Sequence, residues 1–184
     1  MNEIYRIFSD FCEEHQLKIK LSTIMPTGYE SANGTFDVEN NTLYFNASML
    51  KDAPEHERIF YLFHELRHAL QYVYPERFSE AIRRSLDYVL MYDGTCCKIE
   101  QGSWKECKLE GTESYLADAY LGQPYEADAN DYAYEKTKSL MGQSEELNRL
   151  YAFWKPENAL TEKEYEAIYE TIDRKINSER QTNF

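Results

Sequence analysis

A chain of 184 residues, 42% of them hydrophobic, is long enough for one well-cored domain and short for two. Its formal net charge of −13, with no block of Lys or Arg, argues against nucleic-acid binding through phosphates, which needs a basic surface. No apolar run reaches membrane-span length, and the acidic start MNEIYRIFSDFCEEHQ lacks the basic-then-apolar order of a signal peptide, so a cytoplasmic setting is expected.

Taken in chain order, residues 3 to 16 repeat Ile4, Ile7, Phe8 and Phe11 at helical spacing and predict an opening amphipathic helix. Lys18 to Met25 reads as a strand, Pro26, Gly28, Asn33 and Gly34 mark a loop, and TFDVENNTLYFNA predicts two short strands about an Asn-Asn turn. The next helix carries Ile59, Leu62, Phe63, Leu66, Ala69, Leu70 and Val73 on an apolar, core-facing stripe. Asp52 and Glu55 have capping-box spacing, Pro54 suits a first turn, and Pro75 is placed as a stop.

Within that helix the run FYLFHELRHAL contains HELRH. His64 and His68, four residues apart, project from one face and can grip one zinc ion, since neutral imidazole nitrogens bind zinc at about 2.0 to 2.1 Å without bending the backbone. A catalytic site needs a third protein ligand and an open fourth position for water. Glu65, beside the metal but not bound to it, is then the candidate general base, taking a proton from the zinc-bound water and passing it to the leaving amine. Two core histidines satisfied by ordinary hydrogen bonds are the plainer alternative, at the cost of burying His-Glu-His with no metal to use it.

Beyond Pro75 the pattern predicts a helix over Glu76 to Arg84 and strands at Tyr88 to Tyr92, Thr95 to Ile99 and Trp104 to Leu109, a helix and β-ribbon inserted within 76 to 123. A turn at Gln101-Gly102 would set Cys96 opposite Cys107. With no CxxC spacing, Cys96, Cys97 and Cys107 read as reduced thiols more readily than as a metal or redox site. PYEADANDYA at 124 to 133 opens a further helix running to about Leu140, with Gly142 as its stop. Glu126 in its first turn is either a third ligand or a solvated glutamate at a helix N-terminus. Asn130, one turn on, can accept a hydrogen bond from a ligating histidine. Tyr125 and Tyr132 flank this position and read as packing residues, and His15 and His56 as surface residues. Two more helices, broken at Pro156, fill Ser144 to Asn177, with Leu147, Leu150, Phe153 and Trp154 as core candidates and a frayed SERQTNF tail.

NTLYFNA at 41 to 47, FYLFHELRHAL at 60 to 70 and EADANDYA at 126 to 133 together resemble the ImmA/IrrE family of zinc metallopeptidases. The resemblance implies an α+β, zincin-like single domain over 1 to 184, with a small mixed or antiparallel sheet packed on the HExxH helix and on a second, ligand-bearing helix. It implies one Zn2+ per chain held by His64, His68 and Glu126, with Glu65 as catalytic base and Asn130 behind the ligands. It also implies that an extended substrate pairs with the backbone of Leu43, Tyr44, Phe45 and Asn46. The chain differs from the family pattern at Arg67 and in the length between His68 and Glu126. The expected activity is hydrolysis of a peptide bond in a protein or peptide partner, by analogy a repressor-like protein of a bacterium or mobile element. Two other readings compete with it: a zinc-bearing regulatory protein without proteolysis, and an acidic mimic of nucleic acid that blocks a nucleic-acid-binding protein.

Overall fold

The computed structural model describes residues 1–100 and 103–182, with side chains as far as residue 178. The fold is α+β, with seven α-helices and two three-stranded sheets among the described residues. No described helix is long and apolar enough to cross a membrane. The chain divides into two compact units, Met1–Arg77 with Asp128–Phe153, and Phe78–Ala127 with Trp154 onward.

In the first unit, α1 (Asn2–His15) buries Ile4, Ile7 and Phe11, the stripe that its spacing predicts. The strand expected over Lys18 to Met25 is cut to β1 (Lys20–Ser22). β2 (Gly34–Asp37) and β3 (Thr42–Phe45) form the predicted hairpin. Asp37 accepts the N–H groups of Glu39 and Asn40, and Asn41 takes the left-handed conformation, at φ 48°, that an Asn tolerates in a turn. The sheet order is β1-β3-β2, with β1 parallel and β2 antiparallel to the central β3.

The long α2 (Glu55–Val73) is in contact with α1, β2, β3 and the later α6 (Glu145–Phe153). That surround explains why Ile59, Phe60, Leu62, Leu66 and Ala69 are almost fully inaccessible. The expected capping box does not form: Pro54 itself is the N-cap, and no side chain caps the first turn. α5 (Pro124–Met141) ends, as predicted, at Gly142, whose φ of 87° suits a residue without a side chain. On α6, Leu147 is buried, but Phe153 is 71% exposed and Trp154 only half-buried, so the core expected there is narrower.

In the second unit the helix predicted over Glu76 to Arg84 splits into a 3-10 turn (Pro75–Arg77, still in the first unit) and α3 (Glu80–Ser85), capped by Ser79. β4 (Tyr88–Leu90), β5 (Thr95–Glu100) and β6 (Ser103–Lys108) form an antiparallel meander, close to the predicted strands. Cys96 does stand opposite Cys107. The turn expected at Gln101-Gly102 lies outside the described residues. α4 (Glu113–Leu121), which no sequence feature singled out, is capped by Thr112 and ends at Gly122. α7 (Glu162–Thr182) extends through most of the tail expected to fray, and packs Ile168, Tyr169 and Ile172 with Tyr88, Leu90 and Cys96. Tyr88 stacks on Tyr169 at 4.3 Å between ring centroids, and its hydroxyl donates to Asp173, which also pairs with Lys98.

Candidate metal centre

The 3.6-residue period of α2 sets His64 and His68 one turn apart, and their rings meet edge to face with Nε2 atoms 3.0 Å apart. Two nitrogens bound to one tetrahedral zinc would stand about 3.3 Å apart, so the pair is within a few tenths of an ångström of a ligating geometry. Among the described residues, His64, His68 and Glu126 form a group whose ligand atoms all lie within 4.8 Å of one another. His68 and Glu126 are buried and His64 is half-buried. Two imidazoles and one carboxylate are a donor set suited to zinc, and three protein ligands leave a fourth position open. The residues present therefore fit a metal ion.

Glu126 owes its place to α5, which runs unbroken through the division of the chain, so that Glu126 is fixed two residues ahead of Asp128. Asp128 is tied to α2 twice. Its carboxylate receives a two-pronged bond from Arg67, at 2.7 Å from Nε and 2.9 Å from Nη2, and a third bond from Gln71 Nε2 at 2.8 Å. Gln71 is fully buried, and its Oε1 lies 2.8 Å from His68 Nδ1. Ala129 and Ala133, both inaccessible, keep this helix free of bulk along its buried face. Asn130, predicted behind the ligands, is 3% exposed and stands one turn after Glu126. Tyr132 packs against Phe11 and lies under the Arg67 guanidinium, and burial pushes its phenol up to about 12, as befits the expected packing residue. Tyr125 is buried as well.

Glu65 is 7% exposed and meets the start of β2. A side chain at Gly34 would place its first carbon 2.6 Å from Glu65 Cγ and 2.9 Å from the Tyr44 carbonyl. Gly34 is thus the reason that the glutamate can sit against the sheet at all.

Residues 43 to 46 were expected to pair with an extended substrate through their backbone. β3 is the middle strand, paired on one side with β1 and on the other with β2, so Leu43, Tyr44 and Phe45 have no free backbone edge to offer. Leu43 and Phe45 are core residues. Asn46 is a loop tie: its amide donates to Glu30 O and Ala32 O, and its Oδ1 accepts from the Met49 N–H. The free edges of this sheet belong to β1 and β2.

The cysteines are free thiols. Burial pushes Cys96 up to about 12 and Cys12 up to about 11, which keeps both protonated at neutral pH. His15 and His56 stand outside the metal group, each half-buried instead of fully at the surface. Gln71 and Asp128 carried no expectation, and Gly34, expected to mark a loop, instead opens β2. Gln71 was detectable in principle, being one turn on from both Arg67 and His68, whereas Gly34 reaches Glu65 only through tertiary packing.

Compared with known proteins, the chain matches no family model, no curated protein and no solved structure.

Proposed function

We propose that the chain is a zinc metallopeptidase of zincin-like arrangement, with His64, His68 and Glu126 as ligands and Glu65 as general base. The observation that carries the reading is the convergence of these three donors with Glu65 on the residue next to a ligand, at the wall of the sheet. When bound, zinc supplies an acidified water, with a pKa near 7, and polarises the carbonyl that is attacked. Glu65 would accept a proton from the attacking water and deliver it to the leaving amine, and the missing side chain at Gly34 gives its buried side chain room against β2. An extended peptide would add to the free edge of β2, antiparallel or parallel, with its backbone beside Glu65. Asn130 would accept a hydrogen bond from a ligating imidazole. The ImmA/IrrE resemblance supports a regulatory role with a protein substrate, and the net charge of −13 suits a basic segment in that substrate.

The test is metal content by mass spectrometry on protein purified without added metal, beside His64→Ala, Glu126→Ala and Glu65→Gln. One zinc per chain, lost in His64→Ala and sharply reduced in Glu126→Ala, is the expected result. Glu65→Gln should keep its zinc while cleavage of a peptide library falls by about 10² to 10⁴-fold. Protein that takes up no zinc when offered it would refute the reading. Zinc-loaded protein whose biological effect is untouched by Glu65→Gln would make it a binding protein instead.

A further inference from the structure

Four side chains form a hydrogen-bonded row that ends on a candidate ligand: Arg67 to Asp128, Asp128 to Gln71, and Gln71 to His68. The row has a direction, which follows from what each group can do. An arginine has only donors, and an ionised aspartate only acceptors. The Arg67 fork at 2.7 and 2.9 Å sets a cation against both oxygens of the Asp128 carboxylate and fixes its plane. Facing an acceptor-only neighbour, the Gln71 amide must turn its NH2 toward Asp128, where the 2.8 Å contact lies. Its carbonyl oxygen is then the atom left to face His68, 2.8 Å from Nδ1. A carbonyl oxygen can only accept, so His68 must carry its hydrogen on Nδ1. The lone pair of a neutral His68 is thereby placed on Nε2, the atom that faces His64 Nε2 at 3.0 Å.

We infer that Arg67, Asp128 and Gln71 are positioning residues that preset the tautomer and ring angle of His68 for metal ligation before any metal arrives. The inference rests on the proposed metal centre only for its purpose; the tautomer itself is a property of the metal-free chain. Burial makes the device effective. Gln71 is fully inaccessible and His68 nearly so, so water cannot readily substitute for a lost partner, and an amide turned the wrong way would leave a buried donor facing a donor. Arg67, two links from the ring, acts by holding Asp128, and Tyr132 supports it through the guanidinium that lies 4.5 Å from its ring centroid. A neutral acceptor-or-donor group at position 128 would break the logic. An Asn there can satisfy Gln71 in either orientation, and a flipped Gln71 would donate to His68 Nδ1 and move the hydrogen to Nε2, which then cannot bind a metal.

The experiment is nitrogen-15 NMR of the metal-free protein with labelled histidine at pH 8, the four histidines being assigned by single substitutions, beside zinc affinity measured by chelator competition. In the unaltered chain His68 should show the Nδ1–H tautomer, and Asp128→Asn should show a mixture. Zinc should bind Asp128→Asn about 10 to 100-fold more weakly, with helix content unchanged. An Nε2–H tautomer of His68 in the unaltered chain would overturn the inference alone, with no need of a folded variant. So would an Asp128→Asn protein that keeps both the tautomer and the zinc affinity. Failure of zinc to bind at all would refute the metallopeptidase reading while leaving the tautomer result to stand or fall by itself.

Discussion

Gly34→Ala is the substitution whose effect is most closely fixed by the geometry. The backbone at Gly34 is not in the left-handed region, so an alanine is permitted there, and the lost freedom of the unfolded chain would by itself stabilise the protein by about 0.4 to 1 kcal/mol. Space decides otherwise. The new carbon would sit 2.6 Å from Glu65 Cγ, 3.0 Å from Glu65 Cδ and 2.9 Å from the Tyr44 carbonyl oxygen. Carbon atoms in good contact are about 3.5 to 4.0 Å apart, so Glu65 must retreat by about 1 Å or β2 must lift away from β3. Overpacking of this kind costs about 1 to 3 kcal/mol, leaving a net loss of roughly 1 to 2 kcal/mol and a fall in melting temperature of about 2 to 8 °C for a chain of this size.

A double-mutant cycle separates the two escapes. In a Glu65→Ala background the Cγ and Cδ that cause the closest contacts are gone, so Gly34→Ala should cost at least 1 kcal/mol less than it does alone, read from thermal or denaturant unfolding. Under the proposed peptidase function, Gly34→Ala should lose about 10²-fold in kcat on a peptide that the unaltered chain cleaves, the effect expected of moving the proposed base by about 1 Å, and should keep its zinc. Stabilities that add within about 0.5 kcal/mol would show that Gly34 does not press on Glu65, and the proposed wall of the site would then be wrong.

Leu147→Ala, at a position 1% exposed, should cost about 2 to 5 kcal/mol, whereas Phe153→Ser, at one 71% exposed, should stay within about 0.5 kcal/mol; equal losses in chemical unfolding would contradict the placement of α6. Stability should fall as pH rises above about 9, because burial holds Cys12 up to about 11 and Cys96 and Tyr132 up to about 12, and the unfolded chain releases those protons first. The sign is that of any group raised on folding: its contribution is complete below the unfolded pKa and is lost toward the folded one. A melting temperature that rises between pH 9 and 11 would refute it. Native Cys96 and Cys107, both buried, should resist iodoacetamide at pH 8 until the chain is unfolded, as mass spectrometry of labelled peptides would show.

What the sequence made legible follows from how local each signal is. The α2 stripe, the His64–His68 spacing and the Asn41 turn are set by helical period and by backbone preference within a few residues, and all three appear in place. Glu126 was readable as a first-turn carboxylate, but its approach to the histidines depends on Asp128 reaching Arg67 and Gln71 some sixty positions away, which no period encodes. Strand order failed for a related reason. TLYF looks alike as an edge or as a centre, and only the return of Lys20–Ser22 to the far side of β3 makes it the centre. Phe153 shows the converse limit, because the apolar spacing of Leu147, Leu150 and Phe153 promises a longer stripe than the unit has surface to cover. Arg67, a departure from the family pattern when read alone, becomes a functional expectation once its carboxylate partner is known. A charged residue between two candidate ligands on a mostly buried helix needs a counter-charge, and Asp128, two residues along α5 from the candidate ligand Glu126, supplies that charge.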